Sequence, residues 1–181
     1  MLRGKKINLR LIRESDLITI CDCRNDVLAH GEYFPMEFRT LTELTAAYKE
    51  NGLWGDERGT LVITTKDDEI LGTIGYFKTV HYSDCLELGA VIYKAEDRQK
   101  GYMTEATRLF CAYLFESKKI ERLQATFSLG NKGSENLLKK CGFTKEGVLR
   151  KIIYHRGDYS DLVLCSVLRS EIMSLNDIVS L

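Results

Sequence analysis

Hydrophobic and polar residues alternate over positions 6–13, with Ile7, Leu9 and Leu11 set against Lys6, Asn8 and Arg10. A period of two predicts a half-buried strand. Ser15 and Asp16 follow with side-chain oxygens suited to starting a helix, along which Leu17, Ile20, Cys21 and Arg24 recur on one side. Between Asp26 and Arg39 no period holds. That stretch carries Tyr33, Phe34, the single proline Pro35 and Phe38, and reads as a loop with an aromatic wall. Helical spacing returns with Leu41, Leu44, Ala47 and Tyr48, which predicts a second helix from Thr42 to about Asn51.

From Gly59 the texture changes. Leu61, Val62 and Ile63, then residues 70–77 beyond a polar turn, then residues 86–93, read as three antiparallel strands joined by hairpins. A charged, glycine-containing segment at 94–101 leads into a helix with Met103, Ala106, Phe110, Tyr113 and Leu114 on one stripe. Leu123, Ala125 and Phe127 alternate on the next strand. Asn131 caps a further helix whose Leu137, Leu138 and Cys141 face inward, and Gly142 stops it. Strands near 148–155 and 159–168 flank Arg156, Gly157 and Asp158 as a closing hairpin. The pattern predicts an α/β (α+β) fold, with about seven strands in one mostly antiparallel, twisted mixed sheet and about four helices. No repeat or low-complexity tract divides residues 1–181, which are expected to form one domain with its core over about 6–170.

Composition narrows the function classes. A chain of 181 residues with 44% hydrophobic content can bury one sizeable core. Lysine plus arginine (26) balance aspartate plus glutamate (26), so no global basic field points to nucleic acid, and any anion site must be local. No apolar run approaches the roughly 18 residues of a membrane span, and Met1 to Lys6 lack the apolar core of a signal peptide, so a cytoplasmic protein without a membrane partner is expected. The six cysteines form no Cys-x-x-Cys pair, and His30, His81 and His155 stand apart. No metal is expected, and the thiols read as reduced core fillers.

The chemistry-bearing junction lies at 86–104, where a strand runs into a loop whose last glycine, Gly101, opens a helix. The first four N–H groups of a helix lack intrahelical partners, so several converge there as an anion cradle, with Arg98 and Lys100 adding charge beside it. Gly101 allows a close backbone approach that a side chain would block. The pattern is neither a P-loop nor a dinucleotide-binding Gly-x-Gly-x-x-Gly, and these residues alone also fit a helix start with solvated charges.

Several segments together resolve that ambiguity: Glu87-Leu88-Gly89, the run Arg98, Gln99, Lys100, Gly101, Tyr102, Met103, Thr104, Glu105, Ala106, then Asn131-Lys132-Gly133-Ser134, Lys140-Cys141-Gly142-Phe143, and Gly157-Asp158-Tyr159-Ser160-Asp161. In this order and spacing they resemble the GNAT acetyltransferase superfamily, in particular its ribosomal-protein alanine N-acetyltransferase (RimJ/RimL-like) branch. The resemblance implies acetyl-CoA as cosubstrate. Its pyrophosphate would rest on Arg98, Gln99, Lys100, Gly101, Tyr102, Met103 and Thr104, mainly through backbone N–H groups. Met103 stands where the superfamily pattern has a small residue, which a backbone contact tolerates.

The resemblance also implies that the strand carrying Val91, Ile92 and Tyr93 splays from its neighbour, leaving main-chain groups free for the pantetheine arm and for the thioester carbonyl. Glu87 alternates on that strand with Gly89, Val91 and Tyr93, so it shares their face and is the candidate general base. The alternative is a surface carboxylate paired with lysine. Many relatives place a proton-donating tyrosine where this chain has Leu138. RimL-like relatives instead use a serine at the position of Ser134, with the position of Asn131 contacting pantetheine. Both residues would equally serve as a helix cap and its first-turn partner. A thiolate with a pKa near 8.5 can also leave unassisted.

The acceptor pocket is expected from the first helix, the loop with Tyr33, Phe34 and Pro35, Trp54, and the last hairpin with Tyr154, His155 and Tyr159. At pH 7 an N-terminal α-amine is roughly one-tenth neutral, whereas a lysine is neutral only at about one in a few thousand, so a site with one base suits the former. Acetylation of a protein N-terminus is therefore the leading expectation, by a monomer or homodimer. A small amine, whether a polyamine, an aminoglycoside or a free amino acid, is the alternative, and Glu14, Asp16, Asp22, Asp26, Glu32 and Glu37, which crowd the N-terminal part, keep a cationic acceptor open. An idle acyl-CoA-binding module is the third reading.

Overall fold

The computed structural model describes residues 1–29, 31–34 and 36–180. Eight strands among them form one sheet in the order β1-β2-β3-β4-β5-β6-β8-β7. The strands are β1 (Leu2–Arg3), β2 (Asn8–Leu11), β3 (Arg58–Thr64), β4 (Ile70–Lys78), β5 (Leu86–Ile92), β6 (Arg122–Ser128), β7 (Thr144–His155) and β8 (Asp158–Leu168). Every neighbouring pair is antiparallel except β5 and β6. That parallel pair needs a crossover, which α3 (Tyr102–Ser117) supplies. The other helices are α1 (Leu17–Asn25), α2 (Leu41–Asn51), α4 (Lys132–Lys140) and α5 (Leu175–Ser180). The short β1 and α5 are the elements the pattern does not predict, because two and six residues carry too little period.

The two faces of the sheet have separate cores. On one, α3 lays Ala106, Leu109, Phe110 and Leu114 against Leu86, Leu88 and Ile92 of β5 and Leu123 of β6, all buried. Removing a side chain such as Phe110 there would cost about 3–5 kcal/mol. On the other face Leu17 and Ile20 of α1 pack with Ile12 and Val62, and Leu44 and Tyr48 of α2 join them. The first of these cores covers the Leu86, Leu88 and Ile92 face of β5, while the Glu87 and Gly89 face stays partly open.

Asp16 does not cap α1 as expected. Its carboxylate takes both arms of the buried Arg10 guanidinium, at 2.6 and 3.1 Å, and the Arg13 N–H at 2.7 Å. A charged, two-pronged donor outcompetes a cap, and a 3-10 turn at Glu14–Asp16 opens the helix instead. The second helix begins one residue earlier than expected, at Leu41, because Thr40 and Glu43 form a capping box. Arg156 and Gly157 both adopt positive φ (50° and 91°), as a two-residue hairpin requires. Five of the six free thiols are buried, and burial pushes that of Cys141 up to about 11. No helix among the described residues is long and apolar enough to cross a membrane.

Candidate active site

Strand β5 runs beside β4 along its whole length, from Lys78↔Leu86 to Gly72↔Ile92. Its pairing with β6 stops at Leu88↔Ala125. Beyond that point the two strands part, and Gly89 and Ala90 are exposed in the middle of an eight-stranded sheet. Tyr93 donates its N–H to Leu71 O at 3.0 Å, on the β4 side. Because amides alternate sides along a strand, those of Ala90 and Ile92 face the opening. Of the three expected residues, then, Ile92 presents its amide there, while Val91 and Tyr93 face β4. Ala90 joins Ile92, a detail that only strand register reveals. Gly72 makes this geometry possible, since a Cβ on it would lie 1.9 Å from Val91 O. The Tyr93 ring is buried with its hydroxyl 3.3 Å from Thr73 Oγ1, and burial pushes its pKa up to about 12.

The opening ends at the start of α3. Gly101 is the N-cap, with φ +86°, and no side chain caps the first turn. The first helical bond runs from the Glu105 N–H to Gly101 O at 3.1 Å. The amides of Tyr102, Met103 and Thr104 therefore have no intrahelical acceptor. Gln99 is also left-handed (φ 62°) and Lys100 is not, so the loop alternates hand as anion-binding nests do.

Charge at the cradle comes from an unexpected residue. Arg98 turns its guanidinium to three carbonyls, Ile92 and Tyr93 at the end of β5 (3.4 and 3.2 Å) and Ala29 beyond α1 (3.1 Å). Lys100 is held by Asp97 at 2.9 Å. Lys6 instead brings its Nζ within 3.0 Å of Lys100 O, 3.5 Å from where a Cβ on Gly101 would stand. Glu105, in the first turn of α3, anchors that segment by accepting the backbone N–H of Lys5 and, at 3.0 Å, of Lys6.

Glu87 lies partly buried beside the parting strands. Thr126 donates its hydroxyl to one carboxylate oxygen at 2.6 Å and Gln124 its amide to the other at 2.8 Å. The surface pairing with lysine is thus absent among the described residues. Each oxygen keeps a lone pair for a substrate amine or a water. Gln124 and Thr126 escape the sequence reading because they share the Glu87 face only through the parallel register Glu87↔Gln124.

Across the opening, β6 leads into α4. Asn131 caps it, accepting the Ser134 N–H at 3.1 Å, which leaves the Ser134 hydroxyl without a protein hydrogen bond among the described residues. Leu138 is buried in the core.

An open groove of about 900 Å³ lies between the loop after α1 and the β7–β8 hairpin, with Phe34, Met36, Ile153 and Tyr154 among its walls. Phe34 and Tyr154, two of the residues expected at the acceptor, border it. Tyr33 does not; its hydroxyl lies 3.6 Å from the Cβ position of Gly130, beside the start of α4. Pro35 lies outside the described residues. Trp54 is a core residue, edge-on to Tyr76 at 5.5 Å, because it pairs with Gly59 and faces α3. The hairpin tip is fixed to the loop by His155 and Arg156, which bond to Glu32 O, the latter at 3.0 Å.

A parted parallel strand pair, an uncapped helix start at its mouth and a carboxylate on its wall define a site of the acetyl-transferase class, made to hold a phosphate-bearing thioester beside an amine. Comparisons with known proteins agree. Residues 6–144 match the family described as the acetyltransferase (GNAT) domain. The chain is 30% identical over 178 residues to the uncharacterized N-acetyltransferase YoaA of Bacillus subtilis (strain 168), covering 93% of this chain and 97% of that protein. It is 28% identical over 179 residues to the probable N-acetyltransferase YjcK of the same organism, covering 94% and 98%. Among solved structures, the spermidine N-acetyltransferase of Vibrio cholerae, in complex with CoA and spermine, superposes with a TM-score of 0.82 at 20% identity, covering 93% of this chain and 98% of that one. The ribosomal-protein-S5-alanine acetyltransferase of Vibrio fischeri does so at 0.75 and 24%, covering 94% and 97%. The chain belongs to the GNAT acetyltransferase family, and it is an acetyl-CoA-dependent N-acetyltransferase.

Proposed function

We propose that the acceptor is the α-amino group of a polypeptide N-terminus in the cytoplasm, as in the ribosomal-protein alanine N-acetyltransferase branch. The observation that carries this reading is the shape of the acceptor side. It is an open groove of about 900 Å³ whose walls mix apolar and aromatic side chains (Phe34, Met36, Ile153, Tyr154) with charged ones, and which admits a chain end and the residues behind it. An α-amine also offers the free base that attack requires at neutral pH far more readily than a lysine does.

In this reading the amides of Tyr102, Met103 and Thr104, with Lys6, hold the pyrophosphate, and the Ile92 amide polarises the thioester carbonyl. The amine adds to that carbonyl and the C–S bond breaks. Glu87 receives the amine proton, directly or through a water, held in place by Thr126 and Gln124. The Ser134 hydroxyl hydrogen-bonds the departing thiolate and relays a proton to it, taking one in turn from solvent water.

Thiol release from acetyl-CoA, measured against peptides beginning with Ala or Ser, polyamines and aminoglycosides, tests the reading. Turnover on peptides above that on every small amine is expected. Faster turnover on a small amine would replace the acceptor assignment, and tight acetyl-CoA binding without release on any amine would make the chain an idle binding module.

A further inference from the structure

The charges along the acceptor groove are not those that the crowd of N-terminal carboxylates suggests. Of Glu14, Asp16, Asp22, Asp26, Glu32 and Glu37, only Glu37 borders the groove. Asp16 is buried against Arg10, and Asp26, exposed, accepts the Ala29 N–H at 3.1 Å in a local turn. Glu37 itself faces Arg39 at 3.7 Å. Against that single carboxylate the groove sets three guanidinium groups, those of Arg24, Arg39 and Arg156.

The three are spread along the groove. Arg24, half-buried in the last turn of α1, lies close enough to the end of β5 to act electrostatically on the Tyr93 hydroxyl. Among the described residues it has no ion pair. Arg39 is exposed in the loop before α2, and Arg156 stands at the hairpin tip, bonded to Gly31 O and Glu32 O. Those carbonyls take two of its five N–H groups and do not cancel its charge. A free polyamine would meet a repulsive lining, whereas a guanidinium fork matches a carboxylate in shape and charge.

From this lining we infer that the enzyme selects polypeptide N-termini in which the reacting amine is followed within a few residues by aspartate or glutamate. The inference rests on the N-terminal acceptor proposed above and names its class. Arg24 meets the carboxylate nearest the amine, and Arg39 and Arg156 meet those further along the chain.

The test uses three peptides that begin with Ala and differ only at the next three positions, which are acidic, neutral or lysine. Each partly exposed charge contact is modest, so two or three together should favour the acidic peptide over the lysine peptide by about tenfold in kcat/KM at low salt. The ratio should shrink as salt rises to about 0.5 M. Arg24→Glu should reverse the preference, and Arg39→Glu, at an exposed position that folding does not depend on, should weaken it about threefold. Equal rates on the acidic and lysine peptides, or a preference that neither variant moves, would overturn this inference and leave N-terminal acetylation standing. Spermidine acetylated faster than every peptide would overturn both.

Discussion

Replacing Glu87 by glutamine separates its chemistry from its structural role. In the parent, the carboxylate accepts two hydrogen bonds, from Thr126 Oγ1 at 2.6 Å and Gln124 Nε2 at 2.8 Å. The glutamine amide keeps one oxygen for Gln124, and the Thr126 hydroxyl can rotate to accept from the new NH₂ group. Two charge-assisted bonds become neutral ones, a loss of about 1 kcal/mol each. For a chain of this length, that lowers Tm by roughly 4–8 °C. The side chain stays in place, but it can no longer take a proton, and general-base catalysis is typically worth 10² to 10⁴ in rate. Steady-state thiol release at pH 7 on an Ala-starting peptide should therefore fall at least about 100-fold, with acetyl-CoA affinity near that of the parent. The deficit should narrow as pH approaches the amine pKa of about 8, where more acceptor is already neutral. A rate within about threefold of the parent at pH 7 would refute Glu87 as base, because no general-base term of the usual size could hide in it.

Three further predictions follow from the same geometry. Lys6→Ala should raise the acetyl-CoA Kd by about fivefold or more while Met103→Leu leaves it within twofold, as fluorescence titration would read, since the proposed pyrophosphate contacts are backbone amides and one remote ammonium. Ser134→Ala keeps the N–H that Asn131 caps, so folding should hold while kcat falls about tenfold or more; an unchanged kcat means that the thiolate leaves without that proton. Asp16→Ala leaves the Arg10 charge buried beside an exposed Asp68 alone and should cost about 3–5 kcal/mol in urea unfolding. Burial opposes ionisation of the Asp16 carboxyl, but Arg10 and the Arg13 N–H hold it below its usual range, so the parent gains this stability above about pH 4 and loses it as pH falls further, a slope that is shallower in Asp16→Ala, where Asp68 and Glu146 still contribute.

What the sequence makes legible is whatever consecutive residues build by themselves. The α3 stripe through Ala106, Phe110 and Leu114, the Asn131 cap and the Arg156-Gly157 turn are local patterns, and all appear where the periods and turn residues put them. The uncapped start of α3 belongs to the same class, because a glycine N-cap and three following amides need no distant partner. Glu87 is legible as far as its face, by alternation along one strand. Its partners are not, since Gln124 and Thr126 reach it only across a parallel pair whose register no local pattern encodes.

Charge is the hardest quantity to place from sequence, because a long side chain answers to whatever the sheet order brings beside it. Arg98 and Lys100 adjoin the cradle in sequence, yet the carbonyls at the end of β5 and the carboxylate of Asp97 hold them, and Lys6 takes the position from 94 residues away. The groove obeys the same logic. Six carboxylates close in sequence are scattered by α1 and its flanking loops, while Arg24, Arg39 and Arg156, from three separate segments, line one groove. A cluster in sequence therefore predicts a local field only when its residues share an element face. The N-terminal acids do not share one, so they build no acidic lining along the groove, where Arg24, Arg39 and Arg156 set charge of the opposite sign.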